Sequence, residues 1–188
     1  SVLQYLGFKK IILVGQDLAY TNNKQHTSDA YNDVNNDINI QVDGINNMVT
    51  EIYRTKVVLK PGVIDFLKRL QRSGVKMCVA TATDKHLVEK ALERNGIREY
   101  FSEIFTCSSV GAGKDAPVIY NTALEHLGTQ KENTYVFEDA LYAIETANKA
   151  AYNIVGIKDI SEKADPEDVK KFCDYYINDY TEIYKFFE

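Results

Sequence analysis

Glu138-Asp139 stands at the end of an apolar run, Thr134 to Phe137, and opens a helix-like stretch from Ala140 to Ala147. An acidic pair at the carboxyl end of a buried strand does little for folding. It is well placed to hold a divalent cation, because open α/β sheets bind ligands in the crevice outside their strand ends. Two more chemical groups fall at comparable places: Thr81, in Thr81-Ala82-Thr83 after Val75 to Ala80, and Lys114, within Gly111 to Pro117. A hydroxyl, an ammonium and two carboxylates make a set suited to phosphate and Mg²⁺. Each also has a plainer reading. Glu138-Asp139 can cap a helix and favour its dipole, and Thr81 or Thr83 can cap the helix that begins near Asp84. Capping and phosphate binding use the same amide-rich terminus, so one residue can serve both. Gly-Ala-Gly-Lys114 is not a nucleotide phosphate loop, since Ser108 stands where that pattern needs glycine and Asp115 where it needs Ser or Thr.

The elements that must position these groups are legible from residue 57 onward. Pro61 opens a helix whose apolar residues Val63, Ile64, Phe66, Leu67 and Leu70 recur at helical spacing up to Gly74. Strands are expected at 75–80, 104–106, 134–137, 154–157 and 174–178, and helices at 86–94, 116–127, 140–150 and 181–187. Such alternation predicts right-handed βαβ units and a parallel sheet. The first 57 residues differ. Ile11 to Val14 reads as a buried strand, whereas the stretch from Thr21 to Asn47 is rich in Asn and Asp and suggests loops or a polar flap. The expected organisation is therefore 1–57, a strand plus flap or truncated cap, and 58–188, the main α/β core.

Composition narrows the function. A net charge of -5 and a pI near 5.3 argue against a nucleic-acid surface. No stretch approaches the roughly 20 apolar residues of a membrane span, and the N-terminus lacks signal-peptide flanks, so a cytoplasmic location is expected. Cys78, Cys107 and Cys173 lack metal spacing and read as reduced thiols. His26, His86 and His126 have neither metal spacing nor a nucleophile partner. Oligomeric state is not legible.

From about residue 58 onward the chain resembles the haloacid dehalogenase superfamily, in its phosphatase and β-phosphoglucomutase-like branch. The resemblance rests on Leu59-Lys-Pro-Gly-Val63, Ala80-Thr-Ala-Thr83, Gly113-Lys-Asp-Ala-Pro117 and Phe137-Glu-Asp-Ala140 with Ile144-Glu-Thr-Ala147. It implies a three-layer Rossmann-like fold with a mainly parallel sheet and a short, irregular segment in place of a full helical cap. It also implies Mg²⁺-dependent phosphoryl transfer on a small phosphorylated metabolite such as a sugar phosphate. By the same resemblance, Thr81 with the backbone at Ala82 binds the phosphoryl group, Lys114 offsets its charge, and Asp139 with Glu138 holds Mg²⁺.

The first motif of that family carries two aspartates two residues apart at the end of the first strand, one attacking phosphorus and one moving the leaving-group proton. Here the segment is Ile11-Ile-Leu-Val-Gly-Gln-Asp17-Leu-Ala-Tyr-Thr21, with a single carboxylate. Strand length aligns Gly15 with the nucleophile and Asp17 with the acid/base. The Asp-Leu-x-x-Thr pattern instead makes Asp17 the nucleophile and metal neighbour, with Ala19 in the acid/base slot. Impaired catalysis is the expectation either way. Residues 6–21 with His26 also resemble motility accessory factors and hydroxymethylpterin diphosphokinase-like proteins. Two rivals follow: a non-catalytic phosphate-binding protein, and a nucleotide-sugar or pterin-diphosphate transferase fragment joined to the core.

Overall fold

The computed structural model describes residues 10–14, 19–20, 49–160 and 162–182. Six strands form one sheet: β1 (Lys10–Val14), β4 (Lys76–Thr81), β5 (Ile104–Thr106), β6 (Thr134–Glu138), β7 (Asn153–Ile157) and β8 (Tyr175–Ile177). Their order is β5-β4-β1-β6-β7-β8, and every pairing is parallel. β2 (Ala19–Tyr20) and β3 (Val58–Leu59) make a separate antiparallel pair. β1 is central, and the chain builds outward from it on one side through β4 and β5, then returns to its other side for β6 to β8. The reversal of direction at β1 opens a crevice at the carboxyl edge, where such sheets place ligands.

The alternation of side chains along β4 explains the three layers. Met77 and Val79 face a cluster built on Val63, Phe66, Leu67 and Leu70 of helix α2 (Val63–Arg72) and on Val88 and Leu92 of α3 (Lys85–Arg94). Cys78 and Ala80 face the other way, onto Ile119, Tyr120 and Ala123 of α5 (Val118–Leu127) and Ile144 and Ala147 of α6 (Leu141–Lys149). β6 and β7 are likewise buried on both faces, with Phe137 and Val155 on the first side and Val136 and Ile154 on the second, as parallel strands covered by helices must be. Phe66, Phe137 and Tyr180 pack ring to ring across the first of these layers.

The expected α/β architecture is the one observed, with local differences. Residues 49–55 are helical (α1), within a segment expected to be irregular. Two short helices escaped the periodicity, α4 (Cys107–Val110) and α7 (Pro166–Lys170), because one turn shows no repeating apolar face. Their caps were visible in retrospect: Thr106 and Ser109 form a capping box, and Asp165 precedes Pro166 at the first helical turn. α5 starts at Val118 rather than at residue 116, with Pro117 at its N-cap. The expected closing helix extends into 183–188, outside the described residues. Cys78 is buried, Cys107 and Cys173 are half-buried, and all three are free thiols.

Candidate active site

All six parallel strands end at the same, carboxyl edge. β6 ends in Glu138, whose side chain is buried together with that of Lys114. Lys114 Nζ donates to Glu138 Oε2 at 2.9 Å, and the other carboxylate oxygen, Oε1, accepts the backbone N–H groups of Asp139 and Ala140 at 3.2 Å each. Glu138 thus fixes the lysine and serves the amides ahead of α6. The next amide, of Leu141, donates to Glu162 Oε2 at 2.8 Å, so a second glutamate completes the cap. The N-cap of α6 is Ala140, with no side-chain capping bond, so neither acid caps the helix itself; Glu138 serves the two amides that precede it.

Asp139 is differently placed. Its side chain is 13% exposed, and the nearest cation is Lys60, with Nζ 4.0 Å from Oδ2. Burial pushes its carboxyl up to about 7, helped by Glu138 and Asp159 and opposed by Lys60 and Lys114. Among the described residues these five groups bring three carboxylates against two ammonium groups, and Asp139 has the longest cation contact of the three.

Thr81 closes β4 and is 1% exposed. The register aligns Val79 and Phe137 with Leu13 of the intervening β1, which sets Thr81 level with Asp139. Two strand spacings separate them, about 10 Å. Thr81 Oγ1 accepts the N–H of Thr83 at 3.0 Å, holding a turn around the exposed Ala82 and leaving the hydroxyl proton to donate. Asp84 then occupies the N-cap of α3 with no side-chain capping bond. Tyr53 of α1 reaches this turn, its hydroxyl 3.3 Å from Thr83 Oγ1. Exposed Tyr142, at the start of α6, flanks the other side; burial raises its phenol, and Lys114, Glu138, Cys107 and Asp139 all act on it.

Asp17 and Gly15 lie outside the described residues. Lys114, Glu138 and Asp139 form one cluster, and Thr81 stands on the same edge across β1. Lys60 and Asp159 belong to that cluster and were not singled out from sequence. Their signals were a lysine closing the otherwise apolar Val57-Val58-Leu59, and one more acid just beyond an apolar strand, Ile154 to Ile157. His126 bonds Ser102 Oγ at 3.0 Å and lies edge-on to Phe105, a structural setting.

A parallel sheet with its chemistry at the β1 switch point defines an α/β ligand-crevice protein. The chain belongs to the haloacid dehalogenase-like hydrolase family, whose model matches residues 11–157. Because that match includes β1, the central strand is part of the family's domain. The chain is 30% identical over 103 residues to protein CbbY of Cereibacter sphaeroides, covering 53% of this chain and 45% of that one. It is 29% identical over 82 residues to the fructose-1-phosphate phosphatase YqaB of Escherichia coli K12, covering 44% of each. The matched stretch thus spans less than half the length of either relative. Its fold is similar to that of a predicted phosphoglycolate phosphatase from Haemophilus somnus 129PT, with a TM-score of 0.81, 17% identity, and coverage of 97% of this chain and 99% of that one. Among the described residues no helix is long and apolar enough to cross a membrane.

Proposed function

We propose that the protein is a Mg²⁺-dependent phosphotransferase of the phosphatase and phosphomutase type, hydrolysing the monoester of a small phosphorylated metabolite such as a sugar phosphate. The observation that carries this reading is the buried carboxyl of Asp139, which among the described residues has only a 4.0 Å cation contact, beside the Lys114–Glu138 pair at 2.9 Å. An uncompensated buried carboxylate calls for a cation, and Mg²⁺ characteristically takes one or two carboxylates and completes its shell with water and substrate phosphate. Names such as fructose-1-phosphate phosphatase among the relatives favour a phosphorylated sugar.

In this reading Asp139 is the carboxylate that holds Mg²⁺, and Glu138 orients the site by fixing Lys114 and the adjoining amides. Mg²⁺, when bound, supplies charge neutralisation for the phosphoryl oxygens. Lys114 places its ammonium against the same oxygens, and the Thr81 hydroxyl with the turn at Ala82 donates from the opposite side. Asp17 provides the remaining acid chemistry, either as nucleophile beside the metal or as acid/base. With one aspartate where the family has two, turnover is slow, since general acid/base help contributes about 10²–10⁴-fold.

The test compares phosphate release from a panel of sugar phosphates with and without Mg²⁺, alongside Mg²⁺-dependent thermal shifts. Asp139→Asn is expected to remove both responses, whereas the exposed Asp115→Asn keeps them. Equal behaviour of the two variants, or no Mg²⁺ effect on the parent, refutes the metal site. Gly15→Asp is expected to raise hydrolysis by orders of magnitude if Asp17 is the acid/base, and Asp17→Asn to abolish it if Asp17 is the nucleophile.

A further inference from the structure

Tyr142 is the second residue of α6, three positions after Asp139, and it is 56% exposed while the next two residues, Ala143 and Ile144, are fully buried in the second layer. A single exposed aromatic is ordinary on a protein surface, so exposure alone decides nothing. Its direction decides more. The groups that act on its phenol come from three elements: Lys114 in the loop between α4 and α5, Glu138 and Asp139 at the end of β6, and Cys107 at the start of α4. A ring within reach of all of them leans over the crevice edge rather than out along the helix. Its backbone is fixed as well, since the Tyr142 carbonyl accepts from Thr146 Oγ1 at 2.9 Å. Tyr53, on the Thr81 side, sets its hydroxyl 3.3 Å from Thr83 Oγ1, whereas the Tyr142 hydroxyl has no hydrogen-bond partner among the described residues.

We infer that Tyr142 is a specificity-determining residue that recognises the part of the substrate beyond the phosphate: its ring is a wall for the apolar face of a sugar, and its hydroxyl a partner for a sugar hydroxyl. The inference rests on the phosphomonoester reading proposed above and divides the substrate between two kinds of group. Phosphoryl charge is met by the Lys114 ammonium, and a neutral phenol adds little to a charge-assisted contact of that kind. An aromatic ring with one polar tip instead suits a ligand that is apolar on one face and rich in hydroxyls at its edge. A sugar is such a ligand, because its C–H groups pack on a ring face while its hydroxyls point away. The open hydroxyl selects this class over a purely apolar leaving group, since a polyol offers it both a donor and an acceptor. Tyrosine has few rotatable bonds, so holding it against a ligand costs little entropy.

The experiment compares two ligands on the full chain in the presence of Mg²⁺: inorganic phosphate, and the sugar phosphate of the panel above that the parent binds most tightly. Each is measured as competitive Ki or KM where phosphate is released and by calorimetry where it is not, with folding of the variants checked by circular dichroism. Tyr142→Ala is expected to weaken the sugar phosphate by about tenfold and to leave inorganic phosphate unchanged. Tyr142→Phe keeps the ring and loses the hydroxyl, so it is expected to weaken the sugar phosphate by about threefold, again with inorganic phosphate unchanged. A merely structural role shifts the two ligands together, so the split between them is the signature. Both ligands weakened alike, or either variant binding the sugar phosphate as the parent does, overturns the inference. A parent that binds inorganic phosphate but no sugar phosphate more tightly overturns this inference alone. A parent that binds neither overturns the phosphomonoester reading and the inference with it.

Discussion

Two buried lysines stand at the carboxyl edge of the sheet, and their surroundings differ. Among the described residues Lys114 meets one carboxylate, at 2.9 Å, and both oxygens of that carboxylate are occupied. Lys60 meets two carboxylates, one at 2.8 Å and one at 4.0 Å. The first corner is balanced, so it holds its shape without a ligand. Among the described residues the second holds two carboxylates against one ammonium, which favours a proton or a cation on Asp139. On the proposed reading, a preorganised corner and an unbalanced one side by side give a crevice that is rigid where phosphate charge would be met and receptive where a metal would enter.

The sharpest way to break this contrast is to unbalance the first corner. Lys114→Ala leaves Glu138 buried and unpaired, and a loss of about 3–5 kcal/mol is expected in urea unfolding. Lys114→Met/Glu138→Gln, which removes both charges at similar volume, is expected to recover most of it. A loss below about 1 kcal/mol for the single variant contradicts the balanced corner.

The second corner is separated from the first by its pH dependence. The carboxyl of Asp139 is raised in the folded chain to about 7 from an ordinary value of 3.8. The folded state therefore binds the extra proton between these values, and stability in metal-free buffer falls as pH rises from about 4 to 7. The effect is on the order of a few kcal/mol, and Asp139→Asn flattens that part of the profile. Added Mg²⁺ stabilises increasingly as the carboxyl ionises, and most at and above pH 7. A thermal-shift profile across pH 4 to 8, with and without Mg²⁺, checks both slopes.

Gly62→Ala tests the left-handed turn behind Lys60. A Cβ forced into left-handed backbone against Thr181 costs about 1–3 kcal/mol. It is expected to disturb Mg²⁺ binding at the second corner and leave the Lys114–Glu138 contact in place, as seen in a structure of the variant. Smallest of all, Tyr53→Phe removes one hydroxyl contact to Thr83 and is expected to change stability by less than about 1 kcal/mol, read by urea unfolding. A larger loss assigns α1 a structural part in holding the Thr81–Thr83 turn.

The sequence by itself determined the layers and most of the edge chemistry. Alternating strands and helices with short connections admit a parallel sheet and few other topologies, and Glu138, Asp139 and Thr81 could be placed at strand ends by counting residues, whereas Lys114 lies in the loop between Cys107–Val110 and Val118–Leu127 rather than at the end of β5. Single-turn helices such as Cys107–Val110 were lost because periodicity needs more than one turn to show. What only the tertiary structure decided was how the charges are shared. Glu138 and Asp139 are neighbours in sequence and of one chemical type, yet one is committed to Lys114 and two amides while the other is left in excess. Lys60 and Asp159, 99 positions apart, read separately as a residue before a proline turn and a residue after a strand. Their pairing depends on β7 lying beside β6 and on a glycine turn packed against Thr181, and no local pattern encodes a contact between elements so distant along the chain. Burial strengthens that contact, because charges that water would screen on an exposed surface must answer one another in the interior.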